Sequence, residues 1–419
     1  MVGVLMMVYV FSFIDRQILN LLVGPIRADL QISDTQMSLL LGFSFAVFYT
    51  FCGIPLGRLA DSRSRRGLIA FGLVFWSGAT AACGMVGKYW QLFLARVGVG
   101  IGEAALSPAA YSLITDYFPR DRRATAMSVY SMGIFLGTGI AFLLGGLVVG
   151  FALKHGPVML PVIGEIRPWQ VVFLILGCAG VLFSVVLLTV REPPRGAMHA
   201  QAPLREVLAY MRLNLRTVLC HNFGFALLAL SSYSASAWLP SYFIRVHGWN
   251  AGQFGLVYGT LVAIFACSGI IFGGWLADRW LKQGRVDATL RVGYIAALGL
   301  VPLGSLFVFA ADAQLAAALL VPGIFLLAMP FGVAPAGLQE IMPPNMRGQA
   351  TAVYLFIVNL IGLGIGPTAV ALFTDYVFGN DLAVGWSIFV VCVTAQFMAA
   401  VLLRDGLAPF RESLARRGA

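Results

Sequence analysis

Gly57–Arg66 reads GRLADSRSRR, and the chain returns to that pattern at Gly274–Arg285 as GWLADRWLKQGR. Each copy directly follows the second long apolar stretch of its half of the chain. A second pair keeps the same order: FPRDRRATAMSVY (Phe118–Tyr130) matches MPPNMRGQATAVY (Met342–Tyr354). In it Pro119/Pro343, Arg123/Arg347 and Tyr130/Tyr354 are each 224 residues apart. Two matches in one order indicate a parallel duplication, which predicts two pseudo-equivalent bundles of helices.

The material between the repeats is that of a membrane protein. Of 419 residues, 59% are hydrophobic and 11% charged, against about 25% charged in soluble domains. Apolar runs of about 20 residues, the length needed to cross the hydrocarbon core, recur throughout. Twelve spans are expected, at 3–26, 35–60, 67–87, 90–116, 124–153 and 169–190, then 217–244, 250–277, 290–310, 313–340, 348–376 and 383–404. The fold class is all-α and polytopic, with an N-terminal bundle over 1–190, a linker over 191–216 and a C-terminal bundle with a short tail over 217–419. No cleavable signal peptide is evident, since the first apolar stretch runs past signal length.

Charge sets the orientation. If the loop after the second span is internal, the internal loops, the span ends bordering them and the tail hold 21 of the 28 Lys and Arg residues. The external loops hold Arg27, Lys88, Lys154, Arg167 and Arg245, and Arg16 and Arg96 lie inside spans. The positive-inside rule places both termini in the cytoplasm. The net charge of +10 is thereby a topology signal, and a nucleic-acid partner is unnecessary. Arg-rich short loops point to a bacterial inner membrane. The linker REPPRGAMHAQAPLREVLAYMRLNLR (Arg191–Arg216) begins as a proline-rich connection and ends with the spacing of an amphipathic surface helix.

Four ionisable side chains are placed where lipid would surround an ordinary helix. SFIDRQILN in the first span carries Asp15 and Arg16; the fourth, WQLFLARVGVGIGEAALSPAAYSLITDYF, carries Arg96 and Glu103. Arg96 and Glu103 are seven apart and share a helix face, separated by about 10 Å along the axis. Asp15 and Arg16 point about 100° apart, so each faces a different neighbour. Ionised, the four sum to zero, and burying them requires pairing or a wetted cavity. Either can be a fixed ion-pair lattice or a working site. Gly98-Val-Gly100-Ile-Gly102 is no dinucleotide loop, lacking a preceding strand; Gly98 and Gly102 form a small-residue face for close helix contact.

The Gly-x-Leu-Ala-Asp copies resemble the cytoplasmic-loop motif of the major facilitator superfamily, a likeness that extends over essentially the whole chain. It implies a charge latch that breaks as two bundles rock, with Asp61, Arg65 and Arg66 forming the stronger copy and Asp278 and Arg279 the weaker. The run RVGVGIGEA (Arg96–Ala104), with the mid-helix Ile14-Asp15-Arg16, resembles the Spinster branch of that superfamily. The branch implies export of lysolipids such as sphingosine-1-phosphate or lysophospholipids, linked to protons. Under that implication Asp15 and Glu103 carry the proton, and Arg16 and Arg96 meet the anionic head group. One added proton leaves the quartet net positive, and arginine suits phosphate through its paired donors.

Elsewhere the residues speak less narrowly. SSYSASAWLP (Ser231–Pro240) puts Ser231 and Tyr233 in a hydroxyl-rich run that reads equally as cavity wall or as interhelical hydrogen bonding. Asn359 in the glycine-rich NLIGLGIGP is a further polar candidate. The expectation is a monomeric secondary transporter in contact with membrane lipids, working by alternating access on an amphipathic lipid, with no cofactor or metal. A drug or organic-anion exporter is the alternative, and a channel is disfavoured because it needs no second gate. Neither the six scattered cysteines nor the four histidines have metal-ligand spacing, and no nucleophile–base set suggests an enzyme.

Overall fold

The computed structural model describes residues 1–118, 120–160, 164–193, 203–343 and 345–418. Within these ranges the side chains of 54, 61, 120–125, 128, 158, 160, 164, 188 and 418 lie outside the described residues. Among the described residues, twelve helices are long and apolar enough to cross a membrane. Spans 1–6 are Val2–Leu21, Asp34–Gly53, Arg65–Cys83, Tyr89–Tyr117, Val129–His155 and Pro168–Leu187. Spans 7–12 are Leu215–His247, Ala251–Lys282, Ala288–Phe309, Ala313–Ile341, Arg347–Phe378 and Asp381–Arg417. The chain is an all-α, multi-pass integral membrane protein; a short hairpin of Val158–Leu160 with Gly164–Ile166 is the only sheet among the described residues.

Local chemistry explains where helices start and break. Ser33 caps span 2, accepting from the Gln36 N–H at 3.2 Å while Gln36 accepts from the Ser33 N–H at 3.0 Å, a reciprocal capping box. Asn250 and Gln253 do the same for span 8. Span 4 is two helices, Tyr89–Glu103 and Leu106–Tyr117. Pro108, just inside the second, has no N–H to offer the Ala104 carbonyl. Span 10 breaks likewise between Ala313–Ala328 and Pro330–Ile341. Span 12 departs from the expected end near 404, its helix Val384–Gly418 running on through the tail.

Two compact units arise. The first comprises 1–196, 236–263 and 371–382; the second comprises 197–235, 264–370 and 383–419. In the first, span 5 packs along spans 1 and 8, with Tyr9 stacked on Tyr130 at 4.5 Å and Phe142 edge-on to Tyr258 at 4.9 Å. In the second, Phe225, Leu290, Leu300, Leu338, Leu403 and Phe410 form the centre of a fully buried apolar core. There Tyr354, the repeat partner of Tyr130, lies edge-on to His221 at 5.4 Å.

The small-residue face in span 4 works as read. A Cβ on Gly102 would sit 2.8 Å from the Trp76 backbone nitrogen, and one on Gly98 would lie 3.2 Å from Ala79 Cβ. Gly100, between them, turns the other way, where a Cβ would lie 2.8 Å from the Phe45 carbonyl oxygen. Spans 2 and 3 thus close on span 4 from two sides, bringing Arg96 and Glu103 into the interior of the first unit.

Candidate functional site

Asp15, Arg96 and Glu103 are buried to within 3% of full enclosure. Arg16 retains 11% of its side-chain surface, so it is the member of the quartet with an open side. Arg16 Nε donates to Glu103 Oε2 at 2.7 Å, and Ser12 Oγ donates to the same oxygen at 2.6 Å. The other oxygen, Oε1, is buried with no hydrogen-bond partner among the described residues. Such a charge-assisted pair is strong because low dielectric surrounds it.

The guanidinium of Arg16 is also ringed by aromatic faces. Its Cζ lies 4.4 Å from the centroid of Phe45, 4.8 Å from Tyr49 and 4.9 Å from Phe13. All are within cation–π range, where the ring quadrupole attracts a cation. The Glu103 carboxylate and the rings of Phe13, Phe45 and Tyr49, from spans 1, 2 and 4, thus all bear on Arg16.

Asp15 and Arg96 meet differently. Arg96 Nη1 donates to the backbone carbonyl of Asp15 at 3.4 Å, and Arg96 Nε is buried with no partner among the described residues. The Asp15 carboxyl faces span 3, beside Thr80 and Trp76, and feels the charges of both Glu103 and Arg96. The four charged residues come together as their placement implies, with Arg16–Glu103 as the direct ion pair. Ser12, Thr80, Trp76 and the aromatic ring set carry no sequence signal that separates them from ordinary helix packing.

The remaining sequence candidates are dispersed. Ser231 Oγ accepts from Gln396 Nε2 of span 12 at 2.8 Å, the interhelical bonding that the serine-rich run also allows. Tyr233 is half-buried against the apolar core of the second unit. Asn359 opens a π-helical stretch, Asn359–Ile365.

Arg65 is buried among partners of the first unit. It pairs with Asp116, and its Nη1 reaches Ser112 Oγ at 3.2 Å. Glu192 Oε1 accepts from the Arg65 backbone N–H at 2.7 Å and from its Nε at 3.4 Å, while Ser64 Oγ donates to Oε2. Burial works to raise the Glu192 carboxyl, but the Ser64 and Arg65 hydrogen bonds outweigh it and hold it below its ordinary value. Arg66 donates to the Val190 carbonyl at 3.3 Å. The side chain of Asp61 lies outside the described residues. In the repeat copy, Asp278 and Arg279 are exposed, with Arg279 over Trp275 at 5.2 Å.

A second charged network, on the face expected to be external, has no counterpart in the sequence reading. Asp34, fully buried, accepts from Arg245 Nη1 at 2.6 Å and Nη2 at 2.7 Å, and pairs with Arg27 at 3.0 Å. Arg27 also reaches Asp381 at 2.7 Å, and Asp375 accepts from the Thr35 N–H and hydroxyl. The three carboxylates present oxygens within 4.8 Å of one another. The guanidiniums and Thr35 occupy them, so the chemistry is that of an ion-pair cluster.

The comparisons with known proteins agree with this architecture. The sequence profile of the Major Facilitator Superfamily matches residues 5–367. An MFS-type efflux pump of Mycolicibacterium smegmatis is 27% identical over 421 residues, covering 99% of this chain and 93% of that protein. The sphingosine-1-phosphate transporter SPNS2 of Danio rerio is 23% identical over 401 residues, covering 89% and 75%. A bacterial homologue of the human lysosomal transporter Spinster, solved inward-facing and unoccupied, superposes with a TM-score of 0.82 at 25% identity, covering 99% of this chain and 97% of that one. Fold and family are thus those of transporters, and the chain belongs to the Major Facilitator Superfamily, with its resemblance running to the Spinster branch.

Proposed function

We propose that the protein exports an amphipathic lysolipid by alternating access, with Glu103 and Asp15 coupling transport to protons. The observation that carries the reading is the uneven loading of Glu103. Among the described residues, Oε2 holds Arg16 and Ser12 while Oε1 is buried with no hydrogen bond. A proton arriving on this carboxyl neutralises the counter-ion of Arg16, and the freed guanidinium presents paired donors to a phosphate. The aromatic faces around Arg16 hold the cation meanwhile and offer an apolar wall to the start of a lipid tail.

Alternating access needs a gate on each face, and the two charged networks supply candidates. Arg65, Asp116 and Glu192, with Arg66, serve the face expected to be cytoplasmic; Asp34, Arg27, Arg245 and Asp381 serve the other. The six-and-six division around the linker 191–216, with Asp278 and Arg279 as the weaker latch, belongs to the same reading. So do cytoplasmic termini, a bacterial inner membrane and a monomeric state. The zebrafish relative named as a sphingosine-1-phosphate transporter supports a lysolipid cargo. The mycobacterial relative named as an efflux pump keeps drug export as the second reading.

Purified protein in proteoliposomes decides between them. Saturable counterflow of a lysophospholipid, accelerated by a proton gradient and competed by sphingosine-1-phosphate, is expected. Counterflow of cationic drugs with none of lysolipid would replace the cargo, and unitary currents would replace the carrier by a channel.

A further inference from the structure

The segment Leu204–Leu213 (LREVLAYMRL) is a helix outside every candidate span, joined to span 7 through Asn214 alone. It is tied to the second unit: Tyr210 Oη donates to the Ile341 carbonyl at 3.0 Å, and Arg416 Nη1 donates to the Leu213 carbonyl at 3.0 Å. Val207 and Met211 complete its inner face within the apolar core.

Over roughly half of the helix circumference three stripes follow in order, with exposed Ala209, Leu213 and Glu206 on the side beyond them. Leu204 and Leu208 lie about 60° from Val207 and Met211, and Arg205 and Arg212 lie roughly 70° farther on. The leucines are 54% and 44% exposed, one turn apart on the same side of the helix. Both arginines are exposed beside them. Protein face, then apolar face, then cationic face is the order required by a helix lying in the plane of a membrane interface.

We propose that Leu204–Leu213 is an interfacial anchor, with Leu204 and Leu208 in the acyl-chain margin of the adjacent leaflet and Arg205 and Arg212 on its anionic phospholipid head groups. The occupant is bilayer phospholipid, because the apolar stripe needs chains and the basic stripe needs fixed negative charge beside them. The helix leads straight into span 7, so the anchor sets the height of that span's end relative to the leaflet. This proposal is independent of the cargo.

The test is hydrogen exchange of the 204–213 amides in the full chain, in nanodiscs of phosphatidylcholine with or without phosphatidylglycerol. Anionic lipid is expected to slow exchange by about fivefold or more, the factor for one juxtamembrane basic contact. R205Q/R212Q should lose that dependence while its span amides stay protected, and L204S/L208S should exchange faster in both lipids. Equal exchange in the two lipids, or a lipid dependence retained by R205Q/R212Q, would overturn the proposal. So would slowing by inorganic phosphate added to phosphatidylcholine discs, which would assign the arginines to a free anion.

Discussion

Asp34 grips Arg245 with both carboxylate oxygens, at 2.6 and 2.7 Å, across 211 residues of chain. Asp34 is fully buried in the first turn of span 2, and Arg245 ends span 7. The end of span 7, which belongs by sequence to the second half, is thereby bound into the first compact unit.

Breaking a buried pair by removing one partner costs about 3–5 kcal/mol where the other charge stays uncompensated; Arg27, 3.0 Å from Asp34, keeps the loss in Arg245→Gln below that range. Asp34→Asn and Arg245→Gln should each lower the thermal midpoint, and the double variant should lose clearly less than the two losses added together. Additive losses in this cycle would mean that the pair is not coupled.

Glu103→Gln mimics the protonated carboxyl. Transport in proteoliposomes should lose its pH dependence, whereas Glu103→Asp should keep a weakened one. An unaltered pH profile in Glu103→Gln would transfer the coupling role to Asp15.

Arg16→Ala should weaken binding of an anionic lysolipid by about 10–100-fold, the range for losing charge-assisted hydrogen bonds. An uncharged analogue should lose far less. Arg16→Lys should recover only part of the affinity, since lysine lacks the planar fork and stacks less well on rings. Equal losses for charged and uncharged ligands, read by thermal shift, would count against a head-group role.

At the Ser64–Arg65 loop the sign runs toward acid. Glu192 is held below its ordinary value by the Ser64 and Arg65 hydrogen bonds. Its contribution is fully present above its unfolded value of roughly 4.3 and is lost as pH falls through the lower folded one. Proteolysis of the neighbouring loop should rise in that acid window in the native chain. Glu192→Gln should be cleaved faster at neutral pH and show a flatter acid response.

Helix contact at Gly255 allows a clean steric comparison. A Cβ there would lie 2.1 Å from the Phe142 carbonyl oxygen, whereas one at Gly150 of span 5 meets nothing within 4 Å. Gly255→Ala should destabilise by about 1–3 kcal/mol, as overpacking does. Gly150→Ala should be neutral or slightly stabilising through helix propensity. Matching thermal midpoints in the two variants would contradict the packing.

The amino-acid order alone determined the twelve spans, the duplication and the four intramembrane charges. Each rests on local length, periodicity or the cost of charge in lipid, and none needs a partner to be known. Tertiary structure decided which charges meet. Arg16 takes Glu103, while Arg96 reaches the Asp15 backbone, because helix rotation and tilt follow from close approaches at Gly98, Gly100 and Gly102 that no spacing rule specifies. The Asp34–Arg245 pair was out of reach for the same reason. Two charges that the sequence places in external loops, 211 residues apart, acquire meaning only when packing removes water from between them.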